Sequence, residues 1–170
     1  MKSTRVFIVS GSLMLLFLAV NTLHAQTDLN TRKALYFTGT KTDSIDLKND
    51  VYVANGATLN LSAELRVSCE QNECVFNVGI IATRTGTGAL STEVVVQVAK
   101  SGEKFTKTVE FGANEKFKQV VLPVKLNLGK NQLSITIDPG KTTPETDETN
   151  NSFSATVMVN WKRANPGDKN

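Results

Sequence analysis

From residue 58 onward, apolar and polar residues alternate with a period of two, and turn residues interrupt the alternation at regular intervals. Turn signals about every 8–12 residues are typical of a β-sandwich. No stretch keeps the period of about 3.6 residues that marks a helix. The pattern predicts an all-β fold, an immunoglobulin-like β-sandwich of about seven strands. These predicted strands are 59–67, 74–83, 93–99, 105–111, 116–126, 132–138 and 152–161.

The alternation also predicts which side chains form the core, because successive side chains of a strand point to opposite faces of the sheet. One face of each sheet should be buried and the other should meet water. The apolar positions predicted to face inward are Phe76, Val78, Ile80, Ala82, Val120, Leu122, Val124, Leu126, Leu133, Ile135, Ile137, Phe153, Ala155, Val157, Val159 and Trp161.

The amino-terminal 25 residues have the pattern of a signal peptide. Lys2 and Arg5 precede an apolar run at 6–20, and Ala25 supplies a small residue for cleavage. We therefore expect a secreted or periplasmic protein, and no later apolar run is long enough to span a membrane. Residues 26–57 are interpreted as a polar leader with one or two short strands and partial disorder, 58–161 as the sandwich, and 162–170 as a flexible tail without an anchor.

Charge and histidine content argue against several function classes. The formal net charge is +3, but two of the basic residues lie in the predicted signal peptide, so the mature chain is nearly neutral and no nucleic-acid partner is expected. The only histidine, His24, is removed with the same segment. A mature chain without histidine has no Ser–His or Cys–His pair. We therefore expect no catalytic residues, no enzymatic activity and no cofactor, with calcium as the one alternative discussed below.

Two cysteines, Cys69 and Cys74, lie on either side of a four-residue segment between predicted strands. In an exported protein, cysteines this close are expected to form a disulfide that holds the turn. The alternative is a redox pair, although redox pairs favour the C-x-x-C spacing at the start of a helix.

The segment 138–151 reads DPGKTTPETDETNN, and 85–89 reads TGTGA. The ending ETDETNN is similar to the loop that joins the last two strands of the CARDB domain, a family related to bacterial cell-adhesion proteins. The glycine turn at 85–89 also resembles that family, except that the family's Asn is replaced by Arg84 or Thr83. The resemblance covers about residues 60–161. It implies an immunoglobulin-like sandwich with a non-catalytic adhesion or spacer role.

The same loop allows a structural and two chemical interpretations. In the structural one, Glu145, Glu148, Asn150 and Asn151 fix a long crossing between sheets through local hydrogen bonds. In the second, the carboxylates of Asp138, Glu145, Asp147 and Glu148 bind calcium, although the spacing is not that of an EF-hand. In the third, Glu145 and Glu148 act as a glycosidase pair, but no aromatic-lined cleft is indicated.

Lysines are frequent between residues 100 and 130, where three acidic residues offset them only in part. They could form a basic patch for acidic glycans or membrane headgroups, or they could protect exposed faces and edge strands from aggregation. The lysines are 100, 104, 107, 116, 118, 125 and 130. Taken together, the sequence predicts a secreted, non-catalytic module that contacts a protein or a cell surface. The alternative is a small subunit or inhibitor of an exported complex, or, with less support, a calcium-stabilised binding domain or a secreted hydrolase.

Overall fold

The computed structural model describes residues 27–160. The predicted signal peptide at 1–25, the inward position of Trp161 and the tail at 162–170 lie outside the described residues. The described chain forms ten strands and a single 3-10 turn at Ala63–Leu65. The strands are β1 Leu29–Phe37, β2 Val51–Ala54, β3 Thr58–Ser62, β4 Ser68–Glu70, β5 Glu73–Arg84, β6 Leu90–Val98, β7 Lys104–Phe111, β8 Phe117–Asn127, β9 Gly129–Ile137 and β10 Ser152–Asn160.

The strands form two sheets of five. In the first sheet β5 is central: β8 pairs along one side of it, and β1 and β4 pair with the other side, with β2 beyond β1. The second sheet has the order β3-β10-β9-β6-β7, in which only the pairing of β3 with β10 is parallel. The predicted all-β two-sheet sandwich is therefore confirmed.

The core lies between the two sheets and is mostly aliphatic, with four buried phenylalanines, Phe37, Phe76, Phe111 and Phe153. Phe76, Val78, Ile80 and Ala82 of β5 are each fully buried, as the alternation predicts. All the predicted inward positions from β8, β9 and β10 that the structure describes are buried too. Burial of apolar area is the main stabilising contribution to such a fold, at roughly 25 cal/mol per Å².

The strand count differs from the expected seven because the sandwich begins earlier than residue 58. β1 pairs with the central strand β5, and its side chains Leu29, Leu35 and Phe37 belong to the core. β2 pairs with β1 and contributes Val53 to the same core. Two of the ten strands therefore come from the segment 26–57, which was predicted to be a leader with one or two short strands.

The predicted strand 59–67 is divided in the structure. β3 ends at Ser62, a 3-10 turn follows, and Ser68 starts the short strand β4. This division lets the chain leave the second sheet and pair with β5 in the first. Alternation alone did not reveal that change of sheet.

The loop 38–50 covers the outer face of the first sheet. Ile45 forms a second buried cluster with Ala34, Tyr36, Ile81 and Val121, on the side of the sheet opposite the core. The loop is fastened there by the Ile45 N–H, which donates to Gln119 Oε1 at 2.8 Å. β1 and β5 are consequently buried on both faces over part of their length.

β8 is an edge strand with two features that oppose pairing with another chain. Pro123 has no N–H to offer, and Lys107 of β7 donates from Nζ to the Val121 carbonyl at 2.8 Å. Proline and lysine are common protections of sheet edges. Within residues 27–160 no helix has the length and apolar character needed to cross a membrane.

Candidate functional site in the loop between the last two strands

The loop 138–151 connects β9 to β10, which are antiparallel neighbours in the second sheet, so the predicted crossing between sheets is wrong. The first residue of the loop is a buried carboxylate. Asp138 is only 3% exposed and has a positive φ of 50°. Its Oδ1 accepts hydrogen bonds from the Thr142 N–H at 3.1 Å and the Thr142 hydroxyl at 2.9 Å, and its Oδ2 accepts the Thr143 N–H at 2.8 Å. Asp138 thus organises the first turn of the loop, and both of its oxygens are engaged.

The ionisation of Asp138 reflects this arrangement. Burial by itself raises the pKa of the carboxyl, but the N–H groups of Thr143 and Thr142 and their hydroxyls favour the charged form. The hydrogen bonds prevail, so the pKa of Asp138 lies below its ordinary value.

Glu145 connects the loop to the first strand of the fold. Its Oε2 accepts the Leu29 N–H at 2.8 Å, and its Oε1 accepts the Asn151 side-chain amide at 3.1 Å. An isolated bridge between Thr27 and Glu145 and a bond from the Thr146 N–H to the Thr27 carbonyl at 3.2 Å reinforce the contact. Residues separated by 116 positions are thereby joined by one side chain.

The pKa of Glu145 is raised, in contrast to that of Asp138. Burial is the main cause, and the negative charges of Glu148 and Asp138 add to it. The hydrogen bonds from Leu29 and Asn151 oppose the shift without cancelling it.

Asp147 and Glu148 have different surroundings although they are adjacent. Asp147 is exposed, and its Oδ1 accepts the Thr149 N–H at 2.8 Å and hydroxyl at 2.6 Å. The Thr149 side chain is the main cause of a lowered pKa at Asp147. Glu148 makes an ion pair with Lys141, whose Nζ lies 3.9 Å from Oε2. That distance is too long for a hydrogen bond.

Three buried oxygens at the end of the loop have no hydrogen-bond partner. They are Glu148 Oε2, Asn150 Oδ1 and Asn151 Oδ1. The amide nitrogens of the two asparagines are used: Asn150 donates to Asp28 Oδ1 at 3.0 Å, and Asn151 donates to Glu145 Oε1. Buried polar atoms are nearly always partnered in folded proteins, so three exceptions within residues 148–151 call for an explanation.

The four carboxylates proposed as a calcium site are used in different ways. Asp138 and Asp147 accept hydrogen bonds from their own loop, whereas Glu145 holds β1. In the part of the chain that the structure describes, no group of three or more His, Cys, Asp or Glu side chains is placed to hold a metal ion. Calcium binding by these four residues stays a prediction.

A hydrolytic pair of Glu145 and Glu148 is the third interpretation of the loop. Both Glu145 oxygens accept hydrogen bonds from strand and loop residues, which assigns that carboxylate a structural task. The cavity nearest the loop, beside Asp138, has a volume of about 220 Å³ and is lined by small polar side chains such as Ser91, Thr92 and Thr108. Ligand pockets are usually larger and richer in apolar and aromatic groups.

The two cysteines are paired as predicted, in a disulfide between Cys69 and Cys74. They are register partners in the β4–β5 hairpin, with Cα atoms 4.0 Å apart. The turn between them needs a positive φ at Gln71. A disulfide is consistent with an oxidising, extracytoplasmic compartment.

Several of the lysines between 100 and 130 contact nearby protein groups. Besides Lys107 on the β8 edge, Lys118 pairs with Glu115 at 2.8 Å, and Lys116 donates to the Gly86 carbonyl. Lys100, Lys104, Lys125 and Lys130 are exposed. Exposed lysines on two edge strands, β7 and β8, fit a protective role.

Arg84 is a structural residue that the sequence did not reveal. It is 4% exposed, and its guanidinium donates to the carbonyls of Glu115, Gly112 and Ala113 while it lies over the Phe111 ring at 5.3 Å. It thereby ties the end of β5 to the β7–β8 turn. The signal available in the sequence was a charged residue at the inward phase of an apolar strand.

The protein is therefore an all-β two-sheet sandwich, and hydrogen bonds join its last loop to its first strand. No family model and no curated protein matches the chain. A crystal structure of the CARDB domain of the PF1109 protein from Pyrococcus furiosus, in complex with di-metal ions, is similar with a TM-score of 0.44 and 18% identity, covering 80% of this chain and 97% of that chain.

A solution NMR structure of the same Pyrococcus furiosus domain is similar with a TM-score of 0.44 and 17% identity, over 78% of this chain and 96% of that chain. Both structures are of the CARDB domain of PF1109.

Proposed function

We propose that this protein is an exported, non-catalytic binding module that recruits an extended segment of a protein partner along the free edge of β2. The observation that carries the proposal is the exposed apolar side chains at this edge. Tyr52 and Val51 of β2 are 59% and 38% exposed, and Leu47, in the loop that precedes β2 in the chain, is 53% exposed. Apolar patches on a protein surface mark interaction sites when they are contiguous.

The geometry of β2 suits strand addition. β2 has β1 as its partner on one side and ends the first sheet on the other. Its four residues, Val51–Ala54, include neither lysine nor proline. An added strand would gain backbone hydrogen bonds at this edge and side-chain contacts with Tyr52, whose ring lies 5.9 Å from that of Tyr36.

The other edges are less suited to the same role. β8 is protected by Pro123 and by Lys107, and β7 carries Lys104 and Lys107 among its exposed positions. β3 ends the second sheet, but the side chains that it exposes are Thr58, Asn60 and Ser62. β2 therefore combines an open backbone edge with apolar side chains.

The test uses the mature full-length chain with Tyr52→Lys, since lysine on an edge strand discourages pairing. Thr106→Lys on β7 is the matched control, because it places the same charge on an exposed strand position of the other sheet. Partner capture from the native exported fraction should survive Thr106→Lys and fall at least about tenfold with Tyr52→Lys. Tenfold corresponds to about 1.4 kcal/mol of binding free energy.

Hydrogen exchange of the captured complex should show slowed exchange of backbone amides at 51–54. Capture that is unaffected by Tyr52→Lys, or protection elsewhere, would refute β2 as the contact. Sedimentation of the purified chain measures whether it associates with itself. Self-association through β2 would mean that the partner is a second copy and not another protein. A role as a small subunit of an exported complex uses the same surface and gives the same result with Tyr52→Lys.

A further inference from the structure

The turn between β2 and β3 contains the single Asn-Gly pair of the whole sequence, Asn55–Gly56. Both residues are exposed, and Gly56 has a positive φ of 72°, which glycine adopts without strain. Asn-Gly is also the pair in which asparagine is modified most readily, because the small glycine lets its backbone nitrogen approach the side-chain carbonyl of the asparagine. The turn therefore combines access to water with a reactive pair of residues.

Three hydrogen bonds hold this pair in the folded protein. The Ser154 N–H of β10 donates to Asn55 Oδ1 at 3.1 Å, and the Gly56 N–H donates to the Ser154 carbonyl at 2.7 Å. The Asn55 N–H donates to the Lys33 carbonyl of β1 at 2.8 Å. The Gly56 nitrogen and the Asn55 side chain are thus held by the same residue of β10, and the backbone of Asn55 is held by β1.

We propose that Asn55 is a deamidation site, which the folded turn protects and which becomes reactive when the turn leaves β10. In this reaction the Gly56 nitrogen loses its proton and forms a bond to Asn55 Cγ, the Cγ–Nδ2 bond breaks, and ammonia leaves with the proton. Water then opens the cyclic imide, which gives an aspartyl or an isoaspartyl residue. A Gly56 N–H that donates to Ser154 is not available for this attack, so release of the turn has to come first.

The two products affect the turn differently. An aspartyl residue keeps the length of the backbone and an oxygen that accepts the Ser154 N–H. An isoaspartyl residue adds one carbon to the main chain between the N–H groups of residues 55 and 56, which displaces these donors relative to Lys33 and Ser154. The isoaspartyl product therefore makes the release of the turn permanent. This inference goes beyond the proposed binding function, and its test needs no partner.

The experiment compares the mature chain in its folded state and unfolded in guanidinium chloride, both at mildly alkaline pH, by peptide mapping with mass spectrometry. In the unfolded chain, Asn55 should deamidate faster than every other asparagine. In the folded chain, the rate at Asn55 should be at least about tenfold lower, because local opening populates only a minor state. Equal rates in the two states would refute the protection, and a slow reaction at Asn55 in the unfolded chain would refute the site.

Hydrogen exchange of the Gly56 amide measures release of the turn directly, since this hydrogen is donated to Ser154 when the turn is closed. At guanidinium concentrations below the unfolding transition, Gly56 exchange and Asn55 deamidation should accelerate in parallel. Deamidation that stays constant while Gly56 exchange rises would show that release of the turn is not required.

Asn55→Asp is the matched control for the products, because it is identical to the aspartyl one. It should melt close to the wild-type temperature. Refolded chains that carry isoaspartate at position 55 should melt at a lower temperature and show faster exchange at Gly56. Isoaspartyl chains that melt together with the wild type would contradict the permanent release of the turn.

Discussion

Asp138 shows how one residue can organise the start of a long loop. Its positive φ is a conformation that Asp and Asn tolerate better than most residues, and its carboxylate receives the N–H groups of Thr142 and Thr143. Hydrogen bonds to a charged acceptor stabilise more than those to a neutral one. The charge of Asp138 is therefore expected to contribute measurably to folding at neutral pH.

Asp138→Asn keeps the shape and the tolerance for positive φ but removes the charge. We expect a loss of about 1–2 kcal/mol in the free energy of unfolding at pH 7, measured by urea titration. The native pKa of Asp138 lies below its ordinary value of 3.8, so the contribution is complete above that value and is lost as the pH falls through the native pKa. Wild type and variant should therefore become equally stable at strongly acidic pH.

Asp147→Asn serves as the comparison for that measurement. Asp147 also has a lowered pKa, but it is exposed to water, so its replacement should leave the urea midpoint close to that of the wild type. A difference between wild type and Asp138→Asn that persists unchanged at pH 2 would show that the effect is not due to the charge.

Single residues were the hardest level to predict from sequence. The Asp, Thr and Asn content of the 138–151 loop predicted its local hydrogen bonds, but not its path, because β9 and β10 pair in the same sheet and the loop does not cross between sheets. The distant partners of the loop were not predictable either, since Asp28 and Leu29 lie more than a hundred positions away. Arg84 was similarly hidden, because its partners are backbone carbonyls and carry no sequence signature.

At the scale of elements, the close contact between loop 38–50 and β5 depends on a glycine in the middle of a strand. A Cβ atom built at Gly79 would lie 2.6 Å from Ile45 Cγ1 and 3.3 Å from Thr38 Cγ2. Glycine inside a strand often marks such an approach by another segment. Gly79 therefore allows the loop to lie directly on the outer face of the sheet.

Gly79→Ala should destabilise the protein by about 1–3 kcal/mol, the range expected when a methyl group is forced into a packed site. Ile45→Ala removes the atom that the new methyl would meet, and it should lower stability by itself. In a double-mutant cycle, the double variant should lose at least about 0.5 kcal/mol less unfolding free energy than the two single variants lose in sum. Strict additivity in chemical denaturation would contradict the contact.

Strands with a clean alternation were predicted best. The boundaries and inward residues of β9 and β10 agree closely with the sequence pattern, and β8 alternates in the same way from Leu122 to Leu126. β1 was predicted only as a short strand within a leader. The end of β1, ALYF, is a continuous apolar run, because the core lies on one side of it and loop 38–50 on the other. Short runs of this kind carry no periodicity that identifies a strand.

At the scale of the whole molecule, residues 27–57 are part of the sandwich. Leu29, Leu35 and Phe37 are buried in the same core as the later strands, and Glu145 fastens β1 to the loop before β10. Removing β1 would also expose one side of the central strand β5. Removal of β1 would therefore cost buried core area, the hydrogen bonds between β1 and β5, and the contact of Leu29 with Glu145.

A chain that starts at residue 58 is expected not to fold cooperatively, whereas a chain that starts at residue 26 should. Burying three large apolar side chains contributes roughly 1.5–3 kcal/mol each, which together approaches the total stability of a domain of this size. The measurement is thermal unfolding followed by circular dichroism, with proton NMR dispersion as a second readout. A cooperative transition in the chain starting at 58 would show that β1 and β2 are dispensable.

The fastening of residue 29 by residue 145, and of residue 28 by residue 150, has a consequence for how the protein is made. If residues 1–25 direct export, β1 reaches the far side of the membrane long before Glu145 and Asn150, the residues that bind its start. The β4–β5 hairpin, whose cysteines are five positions apart, can be oxidised early. Closure of the sandwich has to await the final strand, and contacts between such distant residues form slowly. A chain exported in this way would stay unfolded, and able to be translocated, until β10 has followed.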